Sequence, residues 1–402
     1  MSSPASIAEI AASAGIRRVH MVAWRDLDDP EAGGSELHAH EVARRWADGG
    51  LDVTLRTSVV VGAPKRIARD GYRIVRKTGR YLVFARSAVS GFLGRDGARD
   101  AVVEIWNGMP FFSPLWARAP RIVFLHHVHD EMWDMVIRPK ALARAGRAIE
   151  FRVAPPLYRN VPIVTLSESS KREIVELLGL PEDNITVVPP GIDPRFSPGD
   201  GDDADKSPHP LVVAVGRLVP VKRFHLLVDA LVQLKSRHPT LEAVIVGEGY
   251  ERTMLERRVK ERGGHGWIHL PGRLEDDELI ALYRKAWVLA SSSAREGWGM
   301  TITEAAACGT PAVVTRIGGH EDAVVGDETG LLVDDVDGLV RGLDLVLGDE
   351  GERTRLTKGA LDRASQLTWE ATARRTFEVL AGEARRWHAS HGRHGRGRQR
   401  RG

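Results

Sequence analysis

Short apolar runs rich in valine and isoleucine recur along the whole chain, separated by stretches with helical periodicity. In the first half they are VHMVAW (19–24), VTLRTS (53–58), YRIVRK (72–77), AVVEIW (101–106), RIVFLH (121–126) and IVTLS (163–167). In the second half they are LVVAVG (211–216), EAVIVG (242–247), WIHLPG (267–272), WVLASS (287–292) and PAVVT (311–315). Apolar residues on both sides of a run mark strands of a parallel sheet, covered on both faces. The segments between them supply crossover helices; over 223–235, Phe224, Leu227, Val228, Leu231 and Leu234 fall at helical spacing. The pattern predicts α/β layering, twice over.

Residues 197–210 break it: they are acidic, rich in proline and glycine, and without periodicity, and VVPPGID (187–193) just before them is stiff and turn-forming. The boundary is therefore placed near 190. The expected organisation is an α/β fold of two Rossmann-like, doubly wound domains, 1–190 and 191–368, facing each other across a cleft, with ligands at the carboxyl ends of both sheets. A helix over 369–387, striped with Phe377, Leu380 and Ala384, follows the second sheet, and 388–402 reads as a basic, disordered tail.

Composition narrows the class. The 402 residues are 43% hydrophobic and 28% charged with mixed sign, which excludes a disordered chain and suits two domains. Cys308 is the single cysteine, so this is no disulfide scaffold, and a reducing compartment is expected. No apolar run approaches the ~18 residues of a membrane helix, and the N-terminus has no signal-peptide pattern. The net charge of +3 comes from the tail, where Arg393, Arg396, Arg398, Arg400 and Arg401 meet no acid; without those five arginines the body carries about −2.

Four segments carry candidate chemistry. In SSSAREGWGMTITEAAACGTPAVV (291–314) a strand ends near Ser292 and a loop with two glycines leads into a helix that Thr301 or Thr303 can cap. Glu296 lies on the loop and Glu304 in the helix's first turn, where it either meets a ligand or merely suits the helix dipole. The helix's free amides favour a phosphate. In VAVGRLVPVKRF (213–224) a strand end carries Arg217 and Lys222, two cations suited to a diphosphate or simply surface charges. In WRDLDDPEAGGSELHAHEVARRW (24–46) the Gly33-Gly34 pair precedes a helix that Ser35 can cap; this is not a dinucleotide fingerprint. In FLHHVHDEMWD (124–134), His126, His127 and His129 end a strand beside Asp130, Glu131 and Asp134. A metal is conceivable there, but neighbouring histidines on a strand point to opposite faces and no zinc spacing accompanies them, so none is assigned.

Together these residues resemble the retaining GT-B glycosyltransferases of the large fourth family, which includes phosphatidylinositol mannosyltransferases. The resemblance runs from about residue 18 to 387. EGWGMTITEAAACGTPAV matches the family's Glu-x7-Glu segment, GRLVPVKR its Gly-Arg-Leu…Lys segment, VVPPGID the approach to its second domain, and GEG (247–249) and LPGR (270–273) its base-binding strands. WRD…GGSE and HHVH suggest a subgroup acting on cell-envelope glycans. Val221 departs from the acidic residue often found before the lysine.

The resemblance implies roles. Arg217, Lys222 and the amides of Met300 and Thr301 neutralise the donor diphosphate, and Gly33 and Gly34 lie under it. Glu296 holds donor-sugar hydroxyls and Glu304 the ribose. His126, with His127 as rival, contacts the sugar near its reacting carbon. Glu248, Arg273 and Leu274 lie in the nucleobase region, and the C-terminal helix crosses back to the first domain. The expected activity is metal-independent, retaining hexosyl transfer from a UDP- or GDP-sugar to a hydroxyl of a lipid or envelope glycan, with no cofactor and no nucleic-acid partner. A nucleotide-sugar 2-epimerase and a non-catalytic sugar-nucleotide-binding protein are the alternatives. The expected location is cytoplasmic, at the inner face of the plasma membrane if the 138–159 segment, with Lys140, Arg144 and Arg147 on one stripe and Leu142, Ile149 and Val153 on another, rests on anionic lipid.

Overall fold

The computed structural model describes residues 5–95, 97–129, 133, 140–199 and 206–398. The chain divides into two compact units, Met1–Pro190 with Trp369–Gly402, and Gly191–Thr368.

The first unit is built on eight strands: β1 (Arg18–Val22), β2 (Asp52–Thr57), β3 (Arg66–Arg69), β4 (Tyr72–Arg76), β5 (Ala101–Ile105), β6 (Arg121–Phe124), β7 (Ile163–Thr165) and β8 (Ile185–Val187). Their order is β3-β4-β2-β1-β5-β6-β7-β8, and all neighbours are parallel except β3 and β4. Val19 of β1 lies opposite Val53 of β2 and Ala101 of β5, and all three are buried. That triple explains the near-continuous apolar reading of the central strands. Helices α1 (Ile7–Ala14), α2 (Gly34–Asp48) and α3 (Val83–Phe92) follow the same logic of one apolar stripe each. A capping box between Ser6 and Glu9 starts α1.

The last helix, Trp369–Arg398, returns to this unit. Ala373, Phe377, Leu380, Ala381 and Ala384 join the core beside Trp46 of α2. The Trp46 indole donates to the carbonyl of Ala373 at 2.9 Å and its ring meets Phe377 edge-on at 5.2 Å. Burying a side chain the size of Phe377 or Leu380 stabilises by roughly 1.5–3 kcal/mol, so this helix is bound tightly to the first unit. It continues past Trp387 to Arg398, so residues 388–398 are helical and not an irregular tail. Arg400 and Arg401, with the rest of 399–402, lie outside the described residues.

The second unit has six parallel strands: β9 (Leu211–Val215), β10 (Glu242–Val246), β11 (Ile268–Gly272), β12 (Val288–Ser291), β13 (Ala312–Thr315) and β14 (Gly330–Val333). Their order is β11-β10-β9-β12-β13-β14. The direction of winding reverses at β9, which pairs with both β10 and β12. In a doubly wound sheet that reversal opens a crevice at the carboxyl ends of the two central strands, where ligands bind. The loops after β9 and β12 lie at that end of this sheet.

Three strands lie outside the apolar runs. β3 is an antiparallel edge strand whose exposed positions are Arg66 and Ala68. β8 has only three residues. β14 opens on Gly330, because a Cβ there would sit 2.4 Å from the carbonyl oxygen of Ala312 on β13. Short edge strands need little apolar sequence to pair.

Candidate active site

β9 is buried along most of its length and delivers its last residues into the loop Gly216–Val219. A single tight turn, Pro220–Lys222, follows, and then the Phe224–Leu234 helix. Between them Arg223 takes a left-handed backbone, φ 48°, a conformation that costs a non-glycine residue energy unless its surroundings hold it. Here the guanidinium does so. It donates to the carbonyls of Ser292 at 2.8 Å and Ser293 at 2.7 Å, in the loop after β12. The Ser292 hydroxyl returns bonds to the carbonyls of Lys222 and Arg223, and the amide of Ala294 donates to Val221 at 2.7 Å. The two loops are thus joined through backbone and side chains.

The join sets Lys222 against Glu296. Lys222 Nζ lies 2.5 Å from Glu296 Oε1, and Ser293 Oγ donates to the same oxygen at 2.8 Å. Both partners are largely covered, with 20% and 16% of their side chains exposed. Burial pushes the Glu296 carboxyl up, but the charge of Lys222, the nearby His320 ring and the bonds from Lys222 and Ser293 outweigh it, and the group stays below its ordinary value. Among the described residues, Oε2 of Glu296 has no hydrogen-bond partner. Arg217, on the same loop as Lys222, is exposed and makes no ion pair among the described residues.

The helix Met300–Ala307 begins beside this pair. Its N-cap is Gly299, at φ 98°, and no side chain caps it. Thr301 and Thr303 therefore do not cap; Thr303 bonds back to the carbonyl of Met300 at 3.0 Å. The first amides, at Met300 and Thr301, lie at the helix start and have no side-chain acceptor among the described residues. Glu304 is the fifth residue of this helix, not part of its first turn. That distance weakens any dipole stabilisation, which fades within the first turn. Burial raises the Glu304 carboxyl to about 7, the charges of Asp276 and Asp193 add to the rise, and only the Tyr283 hydroxyl, 3.4 Å away, opposes it.

The loop after β10 packs directly on the loop after β9. The amide of Gly216 donates to Val246, and that of Leu218 to Glu248. Gly247 makes this possible: its φ is 141°, and a Cβ there would fall 1.9 Å from the Gly216 carbonyl oxygen. The exposed Glu248 side chain pairs with Arg252 at 2.6 Å. Arg273 and Leu274 follow the end of β11 directly. Arg217, Lys222, Glu248, Arg273, Leu274 and Glu296 thus all lie on loops at the carboxyl ends of four consecutive strands, β11-β10-β9-β12.

In the first unit Gly33 is the N-cap of α2, and the Glu36 side chain reaches back to its amide at 2.9 Å. Ser35 does not cap this helix; it lies inside it and its hydroxyl accepts from Asn107 at 3.3 Å. Gly34 is the first helical residue. Arg25 anchors the turn through Glu36, both buried, and through Glu31. His126 follows β6 and is buried. Its Nε2 lies 3.2 Å from Nδ1 of His38 on α2. Burial, then the neighbouring His38 and His127, holds His126 far below its ordinary value, and burial takes His38 down to about 3. Both rings are therefore neutral near pH 7. His127 is half-buried and stacks on His129, centroids 4.8 Å apart. Asp130, Glu131 and Asp134, weighed as metal ligands from the sequence, lie outside the described residues.

Known proteins resemble this chain in sequence and fold. The model for glycosyl transferases group 1 matches residues 202–363, and that for glycosyltransferase family 4 matches residues 32–196. The D-inositol 3-phosphate glycosyltransferase of Stackebrandtia nassauensis is 33% identical over 400 residues, covering 89% of this chain and 90% of that protein. The chain belongs to this glycosyltransferase family. A GDP-mannose-dependent α-(1-6)-phosphatidylinositol monomannoside mannosyltransferase of Mycolicibacterium smegmatis is 29% identical over 79% of the chain and 86% of its own length. Among solved structures, HepE of Anabaena in complex with UDP and glucose superimposes with a TM-score of 0.70, at 19% identity, over 91% of this chain and all of that one. The GT-B fold is therefore shared at low identity.

Several residues of this glycosyltransferase that shape the site escaped sequence reasoning. Arg223 adjoins Lys222 but reads as an ordinary helix-start cation. Ser293 and Ser291 read as a polar strand end. His320 follows Gly318-Gly319 at the end of β13, the same kind of position as Glu296 after β12, and that equivalence was the available signal. For His38 no signal existed, since its partner is 88 residues away.

Proposed function

We propose that this glycosyltransferase moves a sugar from a nucleoside diphosphate sugar to an acceptor hydroxyl, with retention and without a metal. One observation carries the reading. The Lys222–Glu296 contact sets a cation and a carboxylate side by side at the switch point of the second sheet, next to uncapped helix amides. The GDP-mannose dependence of the mannosyltransferase relative and the UDP and glucose bound by HepE support a donor of this class.

In the proposed reaction the bond from the anomeric carbon to the diphosphate breaks, and a bond from the acceptor oxygen forms on the same face. The acceptor's proton passes to the departing phosphate oxygen, so no protein base is needed. Negative charge grows on the diphosphate, and preorganised donors aimed at it lower the barrier. Arg217, Lys222 and the amides of Met300 and Thr301 supply them, which is why we assign no metal. Glu296 has Oε1 occupied by Lys222 and Ser293 and Oε2 free for a sugar hydroxyl. Glu304, partly protonated near pH 7, suits ribose hydroxyls, whose donation favours the ionised form. Glu248, Arg273 and Leu274 are assigned to the base, His126 or His127 to the sugar, and Gly33 and Gly34 to the diphosphate.

We further propose a lipid or glycan acceptor of the cell envelope, with the enzyme resting on an anionic membrane surface. No helix among the described residues is long and apolar enough to cross a membrane. On the Lys140–Ala148 helix, Lys140, Arg144 and Arg147 are exposed, as is Leu142. Around α3, Leu82, Val89 and Phe92 are each more than half exposed, with Arg86 exposed among them and Arg118 stacked on Phe92. Basic and apolar side chains so mixed fit an interface between water and anionic lipid.

The test is a product assay with UDP-glucose and GDP-mannose, each with and without phosphatidylinositol or glycan acceptors, and with chelator added. Acceptor-dependent glycoside that survives the chelator and keeps the donor's anomeric configuration supports the reading. An isomerised sugar nucleotide formed without acceptor would make the protein an epimerase, and binding without turnover a carrier.

A further inference from the structure

A line of hydrogen bonds leads from a buried histidine to Glu296. His320 stands on the Gly318–Ala323 helix after β13 and is 1% exposed. Its Nδ1 lies 2.7 Å from the carbonyl oxygen of Thr315. A carbonyl only accepts, so Nδ1 carries the ring's proton and Nε2 is the bare nitrogen of the neutral imidazole. Nε2 faces Ser291 Oγ at 3.3 Å, and Ser291 Oγ lies 3.2 Å from Ser293 Oγ. Ser293 spends its own proton on Glu296 Oε1, at 2.8 Å.

The proton count makes Ser291 the pivot. It has one hydrogen and two acceptors at nearly equal distance, the arrangement of a three-centre bond. Held between them, it fills a lone pair of Ser293 and leaves that hydroxyl's proton no better direction than the carboxylate. The backbone fixes the remaining degrees of freedom. Thr315 Oγ1 donates to the carbonyl of Ser293 at 2.7 Å. The Gly319 amide donates to the carbonyl of Glu296, and a Cβ at 319 would sit 2.5 Å from the Trp298 nitrogen, so the His320 helix presses on the Glu296 loop as closely as two backbones can.

We propose that Ser291 and His320 are positioning residues for Glu296: through Ser293 they hold Oε1 in place, so that Oε2 is presented to a hydroxyl of the donor sugar. The inference rests on the reading of Glu296 as the sugar-binding carboxylate. The diphosphate meets other groups, Arg217, Lys222 and the helix amides, so the effect is confined to ligands that carry a sugar.

Calorimetric affinities of the full chain for UDP against UDP-glucose, and for GDP against GDP-mannose, test this. In Ser291→Ala and in His320→Phe the ratio of sugar-nucleotide to diphosphate affinity falls three- to tenfold, while diphosphate affinity stays within twofold. His320→Gln, whose terminal amide reaches Ser291, restores most of the ratio. The double variant Ser291→Ala/His320→Phe loses no more than either single, the non-additivity of one connected line. An unchanged ratio, equal losses for both ligands, or additive losses would overturn the inference while leaving the donor reading intact. A wild-type chain that binds neither diphosphate would instead overturn the donor reading on which it rests.

Discussion

Lys222 and Glu296 touch, nitrogen to oxygen at 2.5 Å, across a sequence separation of 74 residues. The contact joins the loop after β9, proposed to meet the phosphates, to the loop after β12, proposed to meet the sugar. The pair lets two different jobs be separated by mutation. Lys222→Ala should weaken binding of the matching UDP or GDP and slow transfer by roughly 10²–10³-fold, the usual cost of removing one preorganised donor. Glu296→Gln should slow transfer while leaving diphosphate affinity within about threefold. Steady-state kinetics with calorimetry on both variants decides this; equal loss of diphosphate affinity in the two would contradict the division of labour.

Glu304 makes stability depend on pH. Burial holds its folded carboxyl at about 7, against an ordinary value of 4.5. Between those values the native chain keeps a proton that the unfolded chain has released, so stability falls as pH rises from 4.5, and the penalty is complete above 7. Its size is on the order of 3 kcal/mol. Glu304→Gln should therefore be more stable than wild type at pH 8 and equal to it at pH 4. Urea unfolding at the two pH values measures the difference, and the same variant should bind the sugar nucleotide more weakly.

His38 works in the opposite sense. Burial lowers its folded value to about 3, from an ordinary 6.5. As pH falls below 6.5 the unfolded chain gains a proton that the native ring refuses, so stability is lost progressively down to about 3. His38→Phe, a similar volume beside Phe124 and Trp369, should flatten the wild-type dependence of Tm on pH between 6.5 and 4.5. An identical slope in wild type and variant would show that the ring titrates freely.

The exposed apolar and basic side chains around α3 predict adsorption to anionic vesicles. Co-sedimentation with phosphatidylglycerol-containing vesicles should weaken with salt, and drop severalfold in Leu82→Glu/Phe92→Glu. Neutralising Lys140, Arg144 and Arg147 should add to the loss. Equal partition onto neutral and anionic vesicles would remove the electrostatic part of this proposal.

Much of the fold is legible in the sequence. Central strands buried on both faces announce themselves as Val/Ile runs, and two motifs at strand ends marked Arg217, Lys222, Glu296 and Glu304. What the sequence hid was of two kinds. β3 is an edge strand with two of its four residues exposed, and β8 has only three residues, too few for an apolar run to stand out. Caps were hidden because a helix start is set by backbone geometry: Gly33 and Gly299, with no side chain to offer, took positions that Ser35 and Thr301 were expected to fill. Contacts such as Arg223 to Ser292 and His38 to His126 depend on which strands become neighbours, and no local pattern encodes that.

In the proposed function the second unit grips a diphosphate with Arg217, Lys222 and helix amides. Calorimetry of wild type and of Arg217→Ala/Lys222→Ala against UDP, GDP, uridine and guanosine measures that grip. Wild type should bind one diphosphate at least tenfold more tightly than its nucleoside, and the double variant should lose this margin. A wild type that binds nucleoside and diphosphate equally, or a double variant that keeps the margin, would contradict it.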